Sequence, residues 1–257
     1  MKRLSLKELQ ETEIQIMKAV DRFCREKGIE YSLGAGSMIG AVRHGGFIPW
    51  DDDIDVFMLR KEYNKLLAAA RKNPYFMGQN YKLFFPNEND YYYTFVKIVD
   101  TSTKITERNM RQINDMGVWI DIFPIDYICD NKEEAIAEAK RCVEARAKII
   151  KANTHRNYGK LKSKLINLLY NSYRITNYKE TEKLQKFVQR FSENDYKEFA
   201  GTICWATNIY DCYPSKCFNE YVDIKFENET FKIFADYDAI LSHRYGNYME
   251  LPPKENR

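Results

Sequence analysis

The 257-residue chain carries 40 Lys and Arg against 37 Asp and Glu, a net charge of +3, with 44% hydrophobic and 30% charged residues. That balance is too apolar for a disordered chain, and the length suffices for one compact core with an added subdomain. So mild a charge does not mark a nucleic-acid binder, and no nucleic-acid partner is expected.

The N-terminal Met1-Lys2-Arg3 runs directly into an amphipathic pattern without the apolar h-region of a signal peptide. No apolar run approaches the roughly 18–20 residues of a membrane span, so a cytoplasmic protein is expected. The six cysteines (Cys24, Cys129, Cys142, Cys204, Cys212, Cys217) are scattered and read as free, buried thiols. The intervals between Cys204, Cys212 and Cys217 fit no tight zinc-binding pair.

Ser5 and Glu8 form a capping box, and Leu9, Ile16, Val20 and Phe23 follow at helical spacing until Gly28. Ile29 to Leu33 reads as a short strand entering Gly34-Ala35-Gly36-Ser37, after which Met38 to Val42 starts a helix. Ile54 to Met58 reads as a strand, and Tyr92 to Val99, Ile105 and Val118 to Ile125 as further strands. From Lys132 to Asn194 long charged helical stretches replace the alternation, with Tyr158-Gly159 as the break. Tyr221 to Phe226 and Thr230 to Phe234 predict a hairpin around Glu227-Asn228-Glu229, before a last helix near Asp238 to Tyr245. The expected class is α/β (α+β), a mixed-sheet core with an added helical subdomain. The segments are 1–130 for the core with its N-terminal helix, 131–200 for the helical part, and 201–257 for the closing hairpin and helix.

The chemistry concentrates in Gly34 to Ser37 and in Arg43-His44-Gly45-Gly46-Phe47-Ile48-Pro49-Trp50-Asp51-Asp52-Asp53-Ile54-Asp55-Val56. On a strand, Asp53 and Asp55 point the same way while Ile54 faces the core. Two carboxylates on one face repel unless a cation lies between them, and oxygen-only ligation suits Mg²⁺, with Mn²⁺ as an alternative. Gly36 and Ser37, at the start of a helix, are candidates to receive a phosphate through backbone N–H groups. Asp121, in Val118-Trp119-Ile120-Asp121-Ile122-Phe123-Pro124, is the candidate third carboxylate, as metal ligand or base, or else a strand-end cap. Arg43 and His44 are candidate substrate-binding residues, although His44 reads equally well as a solvent-facing turn residue. Asp51, Asp53, Asp55 and Glu62 have EF-hand spacing, but Val56 stands where that loop needs glycine, which argues against calcium.

The run from Tyr31 to Tyr63, with its Ala41-to-Asp55 core, resembles the signature of the LicD family of phosphotransferases, which includes the fukutin-related sugar-alcohol phosphate transferases. Phe95-Val96-Lys97-Ile98-Val99-Asp100, Trp119 to Asp126 and Tyr245 to Pro253 resemble further patterns of that family in the same order. The resemblance implies a nucleotidyltransferase-like core and transfer of a phospho-alcohol, most readily phosphocholine, from a CDP-activated alcohol donor to a hydroxyl of a glycan or lipid-linked glycan acceptor. It further implies Asp53 and Asp55 as the metal pair, Asp121 as the third acid, and Lys97 as the neutraliser of donor phosphate.

Aromatic residues make up 14% of the chain, including Tyr91, Tyr92, Tyr93, Trp119, Trp205 and Tyr210. They offer faces for a quaternary ammonium but serve a core equally well. Between Lys151 and Arg174 lie six basic residues and no acid. This window reads either as a surface for an anionic acceptor, with peripheral contact at the inner face of a membrane, or as a solvated helix face. A nucleotidyltransferase moving NMP to a small acceptor, a glycosyltransferase, and a non-catalytic glycan- or calcium-binding module are the alternatives.

Overall fold

A computed structural model describes residues 3–88, 90–107, 109–154, 179–253 and 255. Helix α1 (Leu6–Lys27) is entered through the capping box, in which the Glu8 N–H donates to Ser5 Oγ while the Glu8 carboxylate accepts from the Ser5 N–H. It stops at Gly28, whose φ of 60° suits a residue without Cβ. Its buried stripe of Ile16, Met17, Val20 and Cys24 seats it on the sheet, each enclosed apolar side chain being worth about 1.5–3 kcal/mol.

The sheet runs β1 (Ser32–Leu33), β2 (Asp55–Leu59), β5 (Val118–Cys129), β4 (Val96–Asp100), β3 (Tyr81–Phe84), with β6 (Phe199–Gly201) and then β7 (Tyr213–Pro214) joined to the far half of β5. Among the described residues only β2 and β5 pair in parallel. The twelve residues of β5 let it serve two sets of partners. Its first part lies between β2 and β4, and its end carries β6. Helix α2 (Ala35–His44) joins β1 to β2, and α3 (Arg60–Lys72) leaves β2.

Helix α4 (Lys132–Asn153) and the helical residues 179–188 (α5) supply the added helical region. Ala135, Ala139, Cys142 and Ala145 pack there with Val188 and Phe191 in a core of their own. The mixed α/β core with a helical addition is therefore the architecture expected. The chain closes with the hairpin β8 (Tyr221–Phe226) and β9 (Glu229–Phe234) and with α6 (Tyr237–Tyr245). The hairpin turn locks onto the loop after α2, because the Glu227 N–H donates to Gly45 O at 2.7 Å and Glu227 Oε1 accepts from the Phe47 N–H at 3.0 Å. A Cβ on Gly46 would fall 2.0 Å from that carboxylate oxygen, so a larger residue there would push the Glu227 carboxylate aside.

Four expectations differ in detail. The first strand shrinks to Ser32–Leu33, and Ile105 is not in a strand, although its N–H donates to Met116 O. Tyr91 to Tyr93 precede β4 and form a buried ring cluster, because the Tyr92 and Tyr93 hydroxyls bond Glu107 and that of Tyr91 bonds Phe95 O. Strand β2 begins at Asp55, so Asp53 lies in the loop before it and strand alternation does not orient it. The Tyr158-Gly159 break and, apart from residues 151–154, the basic window lie outside the described residues.

Ala35, the first residue of α2, has φ 42°, a left-handed conformation that costs an L-residue roughly 1–2 kcal/mol. Ala35→Gly should stabilise the protein by about 0.5–1 kcal/mol after the extra unfolded-state entropy of glycine is offset. Urea unfolding measures it, and an unchanged or lowered midpoint would contradict the strain.

Candidate metal centre

The register of the sheet builds the site. Asp55 on β2 pairs with Asp121 on β5, and Asp121 pairs with Lys97 on β4. Residues directly opposite across neighbouring strands share a face, with Cβ atoms about 4.5–5.5 Å apart. Asp55, Asp121 and Lys97 therefore form one row across the sheet. Lys97 Nζ donates to Asp121 Oδ1 at 2.5 Å and is 2% exposed. The rings of Trp119, Tyr93 and Phe95 surround the ammonium at 4.2, 4.5 and 5.2 Å from their centroids. An ammonium so enclosed neutralises Asp121 rather than reaching into open solvent.

Above this row stands the Asp51–Asp53 loop. Oxygens of Asp51, Asp52 and Asp53 lie within 4.8 Å of one another, and this is the one group of three such ligands among the described residues. Two contacts hold the loop. Gln10 Nε2 of α1 donates to Asp51 O at 2.8 Å, and the Asp51 carboxylate rests on the first turn of α2, where a Cβ on Gly36 would meet its Oδ2 at 2.7 Å. An acid at that end of the helix is favoured by the unpaired N–H groups there. Ser37, buried in the same turn, accepts the Asp55 N–H on its hydroxyl at 2.9 Å and so fixes the start of β2.

Burial is the first cause of the electrostatics and mutual repulsion the second. Burial, then Asp53 and Asp121, pushes the Asp55 carboxyl well above the ordinary carboxylate range. Burial followed by Asp52 raises Asp53, and burial followed by Asp53 raises Asp51 to about 7. Asp121 rises to about 6 through burial, with Lys97 pulling it back. The Asp51 and Asp53 oxygens lie within 4.8 Å of each other, so the two carboxyls do not both ionise cheaply. All donors are carboxylate oxygens, crowded enough to hold protons near neutral pH, and such a set fits a hard divalent cation.

The sequence candidates thus separate. Asp53, Asp55, Asp121, Lys97, Gly36 and Ser37 converge on one locus, whereas Arg43 and His44 lie at the opposite end of α2. Arg43 there donates to Tyr248 O and Glu250 O and binds the C-terminal segment. Burial first and Arg43 second lower the pKa of His44. Asp126, five residues beyond Asp121, is fully buried and holds Arg60 through two hydrogen bonds of 2.6 and 2.7 Å. Glu62 pairs with Lys65 and takes the Glu30 N–H, which removes it from any calcium loop. Missing from the sequence reading were Asp52 as a member of the cluster and Glu13 of α1. Glu13 is raised to about 10 by burial, then by Asp53, Asp52, Asp121 and Asp51. Its signal in the sequence was a glutamate on the apolar face of an amphipathic helix.

Beside the acids a cavity of about 90 Å³ is lined by Ala35, Asp55, Phe57, Trp205, Tyr213 and Tyr245, among others. The six cysteines are free, and all but the half-buried Cys129 are buried.

Residues 28–141 match the LicD/FKTN/FKRP nucleotidyltransferase domain. Over its whole length the chain is 28% identical to the lipopolysaccharide cholinephosphotransferase LicD of Haemophilus influenzae, covering 96% of that protein. Shorter similarities, 33% over 69 residues and 38% over 48, join it to uncharacterized proteins of Rickettsia typhi and Rickettsia prowazekii. These cover 26% and 19% of this chain and 22% and 18% of those proteins. The domain match and the full-length similarity together support membership in the LicD family and, in general terms, a metal-dependent phospho-transfer. No helix among the described residues is long and apolar enough to cross a membrane.

Because the folded-state carboxyl pKa values are raised, their contribution to stability is full below the ordinary range near 4 and is lost as pH rises through about 6 to 7. Metal-free protein should therefore melt at a lower temperature at pH 8 than at pH 5.5. The rise in Tm on adding Mg²⁺ should be larger at pH 8, where protons no longer compete. Calorimetric scans check this, and an Mg²⁺ effect independent of pH would contradict the crowding.

Proposed function

We propose that the chain transfers phosphocholine from CDP-choline to a hydroxyl of a cell-surface glycan precursor. The row of Asp55, Asp121 and Lys97 under the Asp51–Asp53 loop carries the reading. It supplies anionic oxygens for a cation and an ionised acid backed by a buried ammonium, which is what displacement at phosphorus requires. Asp53 and Asp55 would hold Mg²⁺ or Mn²⁺, and Asp51 and Asp52, whose oxygens lie within 4.8 Å of that of Asp53, are close enough to share it. When bound, the ion neutralises the charge that develops on the phosphates.

The acceptor oxygen bonds to the β-phosphorus, the bond from that phosphorus to the bridging oxygen breaks, and CMP leaves. Asp121 orients the acceptor hydroxyl and takes its proton. Lys97 keeps Asp121 ionised and in place. Gly36 and Ser37 act by setting the Asp51 and Asp55 carboxylates, and the free end of α2 favours nearby phosphate.

Choline is favoured over other alcohols by two observations. The relative from Haemophilus influenzae is a cholinephosphotransferase, and the cavity beside Asp55 has Phe57, Trp205, Tyr213 and Tyr245 on its walls, together with Arg244, which pairs with Asp211 and stands over the Tyr245 ring. At about 90 Å³ it suits a small headgroup, since pockets for larger ligands run from roughly 300 Å³ upward. Aromatic faces and a carboxylate attract a quaternary ammonium. A glycan acceptor follows from the same relative's lipopolysaccharide substrate.

CMP release from CDP-choline with Mg²⁺ and a glycan acceptor tests the reading. Asp53→Asn, Asp55→Asn and Asp121→Asn should each lower kcat by roughly 100-fold or more, about 2.7 kcal/mol of barrier, with the fold retained. Activity within tenfold of wild type in all three would refute it, and pyrophosphate in place of CMP would favour NMP transfer. Tyr245→Ala should raise KM for CDP-choline roughly five- to tenfold, about 1–1.4 kcal/mol, while leaving that for CDP-glycerol within about twofold. Equal effects on both donors would remove the headgroup role from the cavity.

A further inference from the structure

Glu13 has no part in the chemistry above, yet the acids of the metal centre are the charges that bear on it. It lies one turn after Gln10, the residue by which α1 grips the Asp51 loop. Its helix packs against β4 and β5, the strands of Lys97 and Asp121. Glu13 is 2% exposed, and its Oε2 has no hydrogen-bond partner. The charged groups around it are Asp53, Asp52, Asp121 and Asp51, all acids.

A buried carboxyl among acids, with one oxygen unsatisfied, is costly. On a helix face otherwise made of Ile16, Met17 and Val20, leucine would have sealed the contact. A bound cation ionises these acids, and Oε2 then needs a donor that the surrounding aspartates cannot supply. A hard divalent cation held by few carboxylates keeps several water molecules, whose O–H groups are donors polarised by the metal. We propose that Glu13 is a positioning residue of the metal centre, accepting a hydrogen bond on Oε2 from a water of the cation's hydration shell. Such outer partners orient the ligands they touch, and their loss typically costs roughly 10- to 100-fold in metal affinity. The proposal rests on the reading of Asp53 and Asp55 as metal ligands.

The test is Mn²⁺ binding to the EDTA-treated full chain, followed by electron paramagnetic resonance, for wild type, Glu13→Leu, Glu13→Gln and Asp53→Asn. Melting of each metal-free protein is recorded alongside. Glu13→Leu should raise the Mn²⁺ Kd by about tenfold or more while its metal-free Tm equals or exceeds that of wild type. Glu13→Gln keeps an acceptor oxygen without the charge and should lose roughly threefold, and it carries the test if the leucine variant does not fold. A Kd within twofold of wild type for both Glu13 variants, with Asp53→Asn weakened, would assign Glu13 to packing alone and overturn the proposal. Wild-type affinity in Asp53→Asn as well would overturn the metal reading itself, and this proposal with it.

Discussion

Repulsion among carboxylates is the constraint around which this molecule is arranged. Asp51, Asp53, Asp55 and Asp121 are brought together with partial loss of water, and each is harder to ionise than a free acid. Like charges would spread if the backbone allowed it, so the fold must hold them from several directions. Gln10 holds the loop from α1, Ser37 holds the first residue of β2 from α2, and the β8–β9 hairpin holds the preceding glycine loop through Glu227. The ring-caged Lys97 is the one buried cation in the row. It balances one of the acids, and Asp51, Asp52 and Asp53 remain as a cluster capable of coordinating a divalent metal.

This arrangement ties the glycines and the acids of one stretch of sequence together. The residues from Gly34 to Asp55 contain a helix, a glycine loop and an acidic loop that contact one another at both ends of α2. At one end Gly36 admits Asp51, and at the other Gly46 admits Glu227. A larger residue at either place would displace a carboxylate that is already bonded. Site geometry and loop geometry are in this sense coupled, because a Cβ at Gly36 would push the Asp51 carboxylate aside.

The sequence made the acids legible but not all their geometry. Period-two alternation pointed to a strand through Asp55 and another through Asp121, and the sheet pairs those two residues. The same alternation assigned Asp53 to a strand, whereas β2 begins two residues later because the loop is pinned by Gln10 and Gly36, contacts distant in sequence. Lys97 was expected at the donor phosphates, and only the β4–β5 register reveals its ion pair with Asp121. Arg43 shares the motif with the acids but sits a full helix away. Local patterns such as the Ser5 cap, the Gly28 stop and the final hairpin were readable because they are closed within a few residues. The ring cluster at Tyr91 to Tyr93 was not, since its partner Glu107 lies on another loop.

The most direct measurement is a crystal structure of the protein grown with Mn²⁺ and CDP, with the manganese located by its anomalous scattering. The account predicts a peak at roughly 2.0–2.3 Å from carboxylate oxygens of Asp53 and Asp55, with a phosphate oxygen of CDP in the same coordination sphere. Manganese bound elsewhere, or CDP bound with its phosphates away from these aspartates, would contradict it.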